Sequence, residues 1–351
     1  MTLMLDATEM LPAVSAQAII TDDSGNTVTP QRVRIVQSRM SEASTFDAVI
    51  SISQDARQIP MFENGSGISI YAGITNSGLY DQKSKTKMFS GSIDRSHFNL
   101  TGNTIRASGR DYSSKLIDYE ISGETLLNMT ASDAIKYLCG QVGLEADVDS
   151  TSGFIGQFYQ YEHKAHALSV MHRYQTAWDV CVGIQRDYGY DLWVDGQVLY
   201  FKKKSTDDVL NIHYEKGSSN NPILDISLSH NLLYSDNIQI VVSSWDARQR
   251  VTHTAQYPEG GTTGNIMNFT APVGYTVDQC KNIAEQRYKE VTAHSKVVDI
   301  LLHPSMEVNT RQIIKISGTN TSFDSYAYTV DQVVLEYAQN YVKKKAVLRP
   351  R

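Results

Sequence analysis

The clearest hydrophobic pattern in the chain lies just past its midpoint and predicts a single well-defined helix. Thr176 fits the N-cap position, Asp179 completes a capping box three residues later, and Gly189 can adopt the left-handed conformation of a C-terminal cap. The apolar positions recur at helical spacing, and they are Ala177, Val180, Cys181, Ile184 and Tyr188. The pattern therefore predicts both ends of this helix and the face that it buries.

The residues after this helix alternate in polarity and predict a β-hairpin. The Asp-Gly pair at 195–196 fits a two-residue type I′ turn. With that turn, Leu192 would lie opposite Leu199 on one face, and Trp193 would lie opposite Val198 on the other. Since both faces carry apolar side chains, we expect the hairpin to be packed against other parts of the chain.

β-Strand patterns dominate the first third of the chain. Six short runs alternate in polarity or are rich in β-branched residues, and clusters typical of turns separate them. The runs cover residues 18–21, 33–37, 46–53, 67–74, 88–100 and 104–109. Strands at this spacing are typical of a β-barrel or a β-sandwich.

The pattern changes after residue 115. A second capped helix begins at Thr130 and ends at Gly143, so residues 116–205 are predicted to form an α/β insert that ends in the helix and hairpin. The polar segment 205–222 is predicted to be a linker.

β patterns return after this segment and continue to the last residues of the sequence. They cover residues 223–231, 237–257, 297–302, 312–317, 326–337 and 341–348. One helix interrupts them, with Thr276 and Gln279 as its capping box. The sequence thus predicts a mainly β protein with an α/β insert, divided into residues 1–115, 116–205 and 206–351.

Composition is that of an ordinary folded protein. Hydrophobic residues make up 41% and charged residues 20% of the chain, without the bias of a disordered segment. The formal net charge of −6 disfavours a surface devoted to nucleic-acid phosphates. No run approaches the about 20 apolar residues of a membrane-spanning helix, and the first residues lack the pattern of a signal peptide. We expect no membrane insertion.

The three cysteines are predicted to be buried free thiols. Cys139, Cys181 and Cys280 are widely spaced, and each lies on the apolar stripe of a predicted helix. Disulfide frameworks belong mainly to small secreted domains, so the residues favour synthesis in a reducing compartment.

The sequence predicts no catalytic, cofactor-binding or metal-binding residues. His163, His166 and His172 lie near Glu162, but their spacing matches no zinc signature. A glycosidase needs two carboxyl groups at a defined separation, and Glu120, Glu124 and Asp149 cannot be paired from the sequence. Nucleophile-elbow and phosphate-loop motifs are missing from the sequence.

Two features of the surface chemistry leave alternatives open. The lysine runs 202–204 and 343–345 suit a charged sheet edge that blocks strand pairing, or a contact with DNA, and we favour the edge. The 20 tyrosines suit both protein interfaces and β-sheet surfaces.

A series of short motifs in residues 85–205 resembles a known family. In order, they are Phe89-Ser90-Gly91-Ser92-Ile93-Asp94, Ser108-Gly109-Arg110-Asp111, Lys115-Leu116-Ile117-Asp118, Asp133-Ala134-Ile135, Gly156-Gln157-Phe158-Tyr159-Gln160 and the helix and hairpin that start at Thr176. This order is similar to that of the baseplate hub family of contractile-tailed phages, also called late control protein D. Each motif is short, so the resemblance rests on their order.

The resemblance implies a structural protein of the virion. It implies two tail-tube-like β-barrel domains, at residues 1–115 and 206–351, in a homotrimer that joins the sixfold tail tube to the threefold central spike. Other baseplate proteins would be neighbours, and DNA or a tape-measure protein would pass through the lumen without specific binding. The protein would be made in the host cytoplasm and located in the tail baseplate.

Two other classes of function fit the sequence less well. A carbohydrate-binding or adhesin-type β protein would use exposed tyrosines and tryptophans, and it predicts a sugar-binding cleft. A cell-wall hydrolase predicts an activity that a single acidic substitution abolishes.

Overall fold

A computed structural model gives the fold of the chain. It describes residues 15–39, 41–53, 58–65, 67–75, 86–121, 126, 129–152, 155, 157–159, 164–166, 176–204, 209–218, 221–232, 238–247, 249–260, 264–271, 273–338 and 341–351.

Strands outnumber helices among these residues, as the sequence predicts. The strands are β1 (Ser15–Asp22), β2 (Thr27–Val28), β3 (Arg32–Ser38), β4 (Thr45–Ser51), β5 (Gly67–Thr75), β6 (Thr86–Asn99), β7 (Thr104–Asp111), β8 (Glu145–Val148), β9 (Gln157–Tyr159), β10 (Lys164–His166), β11 (Asp191–Asp195), β12 (Val198–Lys202), β13 (Val209–His213), β14 (Ile223–His230), β15 (Ile238–Asp246), β16 (Val251–Tyr257), β17 (Asn265–Thr270), β18 (Lys296–Leu302), β19 (Ile313–Ser317), β20 (Ala327–Ala338) and β21 (Tyr341–Pro350). The helices are α1 (Ile59–Glu63), α2 (Ser114–Asp118), α3 (Ala131–Gln141), α4 (Ala177–Tyr188) and α5 (Val277–Ala293).

A thirteen-stranded sheet contains strands from both predicted β regions. Its order is β14-β18-β21-β20-β3-β4-β7-β6-β5-β1-β2, and β19 pairs with β20 on one side and with β13 on the other. The two regions meet where β3 pairs antiparallel with β20. The prediction of a mainly β fold is therefore confirmed, whereas the division into two tail-tube-like barrels at residues 1–115 and 206–351 stays a prediction.

One hydrophobic core lies under this sheet and explains its register. Where β3 and β20 pair, every second side chain is buried over residues 32–35 and 332–338, as period-two alternation requires. Ile35 lies opposite Leu335, and Val33 lies opposite Tyr337. All four belong to the same buried cluster. A slip of one residue would expose them, so apolar burial holds the two β regions in register.

The α/β insert has its own core. Thr176 and Asp179 form the predicted capping box of α4, and Gly189 follows the helix with a φ of 66°.

Cys139 of α3 and Cys181 of α4 are buried free thiols, and so is Cys280 of α5, as the sequence predicts. Burial raises the pKa of the Cys139 thiol to about 12, which keeps it protonated and unreactive.

The predicted turn of the hairpin is one residue too early, so the predicted strand pairing is wrong by two residues. Asp195 pairs with Val198, so the two loop residues are Gly196 and Gln197 rather than the Asp-Gly pair at 195–196. Gly196, with a φ of 56°, takes the first loop position, which needs a left-handed backbone. Consequently Trp193 lies opposite Tyr200, and the two rings stack with centroids 5.0 Å apart.

Strand β13 corrects the linker prediction. Residues 209–213 lie within the predicted linker, but they pair in parallel with β19. Ile212 is buried in the large core, and this burial stabilises a strand in a segment whose neighbours are polar.

A smaller sheet and helix form a third core. Strands β16, β15 and β17 make a three-stranded sheet that packs on α5, whose capping box of Thr276 and Gln279 is confirmed. The sequence does not predict β17, because Asn265 and Asn268 interrupt its apolar positions. It nevertheless pairs in parallel with β15 over six residues.

Two glycines in the motifs that suggested a family allow β6 and β7 to approach closely. A Cβ atom at Gly91 would overlap the carbonyl oxygen of Arg110, and one at Gly109 would overlap that of Ser92. We therefore expect Gly109→Ala to lower the free energy of unfolding by at least about 2 kcal/mol.

Gly140 is the matched control for this substitution. It lies in helix α3 with open space around its Cβ position, so Gly140→Ala is expected to stabilise the protein by about 1 kcal/mol. Chemical denaturation measures both changes. Equal stability of the two variants would contradict the close approach.

Candidate functional site

A network of charged side chains joins the two β regions of the large sheet to the α/β insert. Arg39, directly after β3, reaches Asp191 of the insert through Nε at 3.0 Å and Asp331 of β20 through an Nη atom at 2.8 Å. Arg349 of β21 also contacts Asp331, with 3.1 Å between its Nε and Oδ2. Both carboxylates are buried. We call these four side chains the junction network.

A bulge in β20 places Asp331 in the network. The pairing register of β20 with β21 shifts between Val330 and Gln332, which leaves Asp331 as the extra residue. Its backbone carbonyl accepts a hydrogen bond from the Arg39 amide at 2.7 Å. Backbone and side chain of Asp331 thus both contact Arg39.

Charge and burial oppose each other in this network. Burial raises the pKa of Asp331, and the charges of Arg39 and Arg349 counteract it. For Arg39, burial favours the neutral form, but the two carboxylates outweigh it and the pKa is raised. The arginine therefore stays charged, and the network is a buried electrostatic contact between two arginines and two carboxylates.

Arg311, Trp193 and Trp178 extend the junction. The guanidinium of Arg311 lies 4.5 Å from the centre of the Trp193 ring and donates to the Leu192 carbonyl at 3.3 Å. Burial lowers its pKa to about 10, which still leaves it charged at neutral pH. Trp193 is half-buried, whereas Trp178 is buried and donates through Nε1 to the Ser41 carbonyl at 2.9 Å.

The face of the thirteen-stranded sheet opposite its core, here called the open face, carries charges of both signs. Arg34 lies between Asp47 of β4 and Glu336 of β20 in the strand register. Arg32 contacts Glu336 at 2.6 Å, between Nε and Oε1. Opposite charges on adjacent strands stabilise the sheet modestly and leave the open face with mixed charge.

The lysine runs do not lie on sheet edges, so that interpretation is wrong. Strand β21 lies between β20 and β18, and β12 lies between β11 and β8. Lys344 is buried and donates through Nζ to the Met306 carbonyl at 2.6 Å. Lys345 pairs with Asp299 at 2.8 Å, and Lys202 pairs with Asp147 at 2.6 Å.

Several residues considered for a metal site or a carboxylate pair belong to parts of the chain that the structure does not describe. Glu124, Glu162, His163 and His172 lie outside the described residues, and His166 is the last residue of β10. In the described ranges, no three His, Cys, Asp or Glu side chains are grouped to hold a metal ion.

Asp149 has the wrong electrostatics for a general acid. Its carboxylate accepts a hydrogen bond from the Lys203 amide at 2.9 Å, and this bond is the main reason that its pKa is lowered. A glycosidase acid requires the opposite shift. Glu120 contributes only an isolated backbone bridge to Thr176.

Among the described residues, no helix is both long enough and apolar enough to cross a bilayer.

Comparisons with known proteins bear on the fold. No family model and no curated protein matches the chain. A tail protein from Neisseria meningitidis MC58 is similar, with a TM-score of 0.68 and 13% identity over 96% of each chain. The 43 kDa tail protein of prophage MuSo2 from Shewanella oneidensis has a TM-score of 0.68 and 12% identity, over 95% of this chain and 98% of that chain. The chain has the fold of phage tail proteins.

The tail-protein fold also occurs within a longer chain. A chain of the Francisella PdpA–VgrG complex matches with a TM-score of 0.58 and 10% identity, over 98% of this chain and 53% of that chain. Identities this low show the fold alone. The resemblance to tail proteins is confirmed at that level, and membership of the hub family stays a prediction.

Removal of Arg39 should be costly because it leaves two buried carboxylates with one cation fewer. We expect Arg39→Met to lower the free energy of unfolding by about 3 kcal/mol. The control is Lys87→Met, because the 3.7 Å pair of Lys87 with Asp195 is exposed and should contribute less than about 1 kcal/mol.

The pH dependence of the Arg39 variant tests the cause. Loss of Arg39 raises the folded-state pKa of Asp331 further, so the folded variant takes up a proton before the unfolded chain does. Stability should therefore be regained as the pH falls through that pKa. Denaturation at neutral and acid pH measures this, and a defect that is equal at both would argue against the ionic explanation.

Proposed function

We propose that this chain is the structural baseplate hub of a contractile phage-type tail. The observation that carries the proposal is the tail-protein fold, which extends over 96% of this chain and 96% of the Neisseria tail protein. The order of motifs in residues 85–205 favours the hub among tail proteins. Fold alone does not determine function, so the proposal rests on both.

In this proposal three chains form a ring. Each chain contributes two β regions, and the pairing of β3 with β20 holds them in one sheet. Three copies would present six β regions to a sixfold tail tube and three equal positions to a threefold spike. The hub would thus match two symmetries, with other baseplate proteins around it.

The proposed role is structural rather than enzymatic. Buried charges at the junction are paired with one another, and the thiols are buried, which suits a scaffold. The protein would be made in the host cytoplasm and assembled into the tail baseplate of the virion.

The oligomeric state tests this proposal directly. Light scattering of the purified chain should give a mass of about 118 kDa, three times the 39.2 kDa of one chain. The trimer should bind the tail-tube protein and the spike protein of the same particle by different faces. A monomer in the presence of both partners would contradict the hub role.

A second test concerns the passage through the ring. We propose that DNA or a tape-measure protein passes without specific binding, and the mixed charge of the open face is compatible with this. Duplex DNA should therefore bind the purified assembly weakly at physiological salt. Tight binding that falls steeply as salt rises would indicate a dedicated phosphate-binding surface and overturn this part of the proposal.

A further inference from the structure

A cavity of about 420 Å³ lies beside the junction network. The ends of β3, α4, α5 and β21 meet around it, and β20 forms part of its wall. We call it the basic cavity because of the side chains that line it. They include six cations, which are Arg39, Arg186, Lys204, Lys289, Arg349 and Arg351.

The positive charge of the basic cavity exceeds the negative charge around it. Two carboxylates line it, those of Glu290 and Asp331, and Asp331 already contacts two of the arginines. The C-terminal ends of α4 and α5 also face the cavity, and each contributes about half a negative charge. Asp191 contacts Arg39 at 3.0 Å and Glu285 contacts Lys289 at 2.6 Å, so these two carboxylates neutralise two more charges. About one positive charge remains. This excess contrasts with the net charge of −6 of the whole chain.

Two of the cations have no partner of their own. Within the described part of the chain, the side chains of Lys204 and Arg351 make no hydrogen bond or ion pair. Lys204 is exposed to solvent on one side. Desolvation lowers its pKa, the charges of Arg39, Lys289 and Arg351 lower it further, and the charge of Asp191 opposes them. An anion in the cavity would relieve this repulsion.

The protonation of a histidine at the cavity wall depends on the charge inside the cavity. Nε2 of His294 lies 3.3 Å from an Nη atom of Arg349. A guanidinium only donates, so Nε2 accepts and the ring is neutral in this arrangement. Burial lowers the pKa of His294 and Arg349 adds to the effect, whereas Asp331 and Glu290 oppose it without reversing it. A bound anion would raise this pKa, and binding at mildly acid pH would then take up a proton.

We propose that the basic cavity binds an acidic segment of a protein that neighbours this chain in the assembled tail. The proposal rests on the structural role proposed above. The cations come from several separate elements, so a segment with two or more carboxylates satisfies them better than one small anion. Duplex DNA needs a continuous basic stripe along its backbone, and this cavity is a pocket between two helices and a sheet end.

The test is calorimetric titration of the full-length chain with a short glutamate-rich peptide. The double variant Lys204→Gln/Arg351→Gln removes two charges that have no structural partner, and we expect it to weaken binding by at least about tenfold. Lys136→Gln/Lys315→Gln is the control, since it removes the same charge from exposed positions elsewhere. The control should bind as the unmodified chain does.

Further titrations separate the possible ligands. In buffers with different ionisation enthalpies, the unmodified chain should take up protons on binding the peptide, and His294→Gln should bind it without this uptake. Equal peptide affinity of the two double variants would overturn the proposal. The proposal would also be overturned if inorganic phosphate or duplex DNA bound more tightly than the peptide, and if the variant Lys204→Gln/Arg351→Gln lost that binding.

The outcomes distinguish this proposal from the hub role. A trimer that binds the tube and spike proteins but not the peptide would overturn the cavity assignment alone. A monomer that binds the peptide through Lys204 and Arg351 would overturn the hub role and leave the cavity assignment intact.

Discussion

The pairing of β3 with β20 is the contact on which the rest of the structure depends. It joins two β regions that are far apart in sequence, and Arg39 and Asp331 at its end are separated by 292 positions. Closing so long a loop costs little more entropy than closing a shorter one, because the cost grows only with the logarithm of length. The buried side chains of Ile35 and Leu335 at the centre of the pairing offset it.

The junction network fastens the insert to this pairing. Apolar burial holds the strands together, but the insert has a separate core. It contacts the sheet region through the charged network and through the rings of Trp178 and Trp193. Arg39 bridges Asp191 of the insert and Asp331 of the sheet, so the network specifies how the two cores are oriented. Buried ion pairs add little net stability, and their value here lies in specificity of arrangement.

The charged side chains described above mainly form paired contacts that hold neighbouring strands and loops in place. Lys345 and Arg34 face carboxylates across neighbouring strands, and Asp149 is held ionised by a backbone amide. The basic cavity is the exception, because its cations outnumber the groups that could neutralise them. Among the described residues, these paired charges and the basic cavity are consistent with the proposed structural role.

Elements whose signals are local could be predicted from the sequence alone. The capping boxes at Thr176 and Thr276 mark helix starts, because the side chains involved are three residues apart. Alternating runs such as that of β3 mark strands for the same reason. The local pattern placed the hairpin turn one residue too early, because Gly196 fits two turn positions. It also missed β13, which is a strand because it pairs with β19.

The arrangement of these elements in sheets, and the pairing of their charges, depends on tertiary contacts. The lysines at 343–345 have the same sequence pattern on an edge strand as on an inner strand, and only the pairing of β21 on both sides decides between them. The partners of Arg39 lie 152 and 292 positions away, so no local signal points to the junction. The basic cavity likewise draws its cations from separate elements. Contacts between distant residues depend on packing, and short-range patterns do not encode packing.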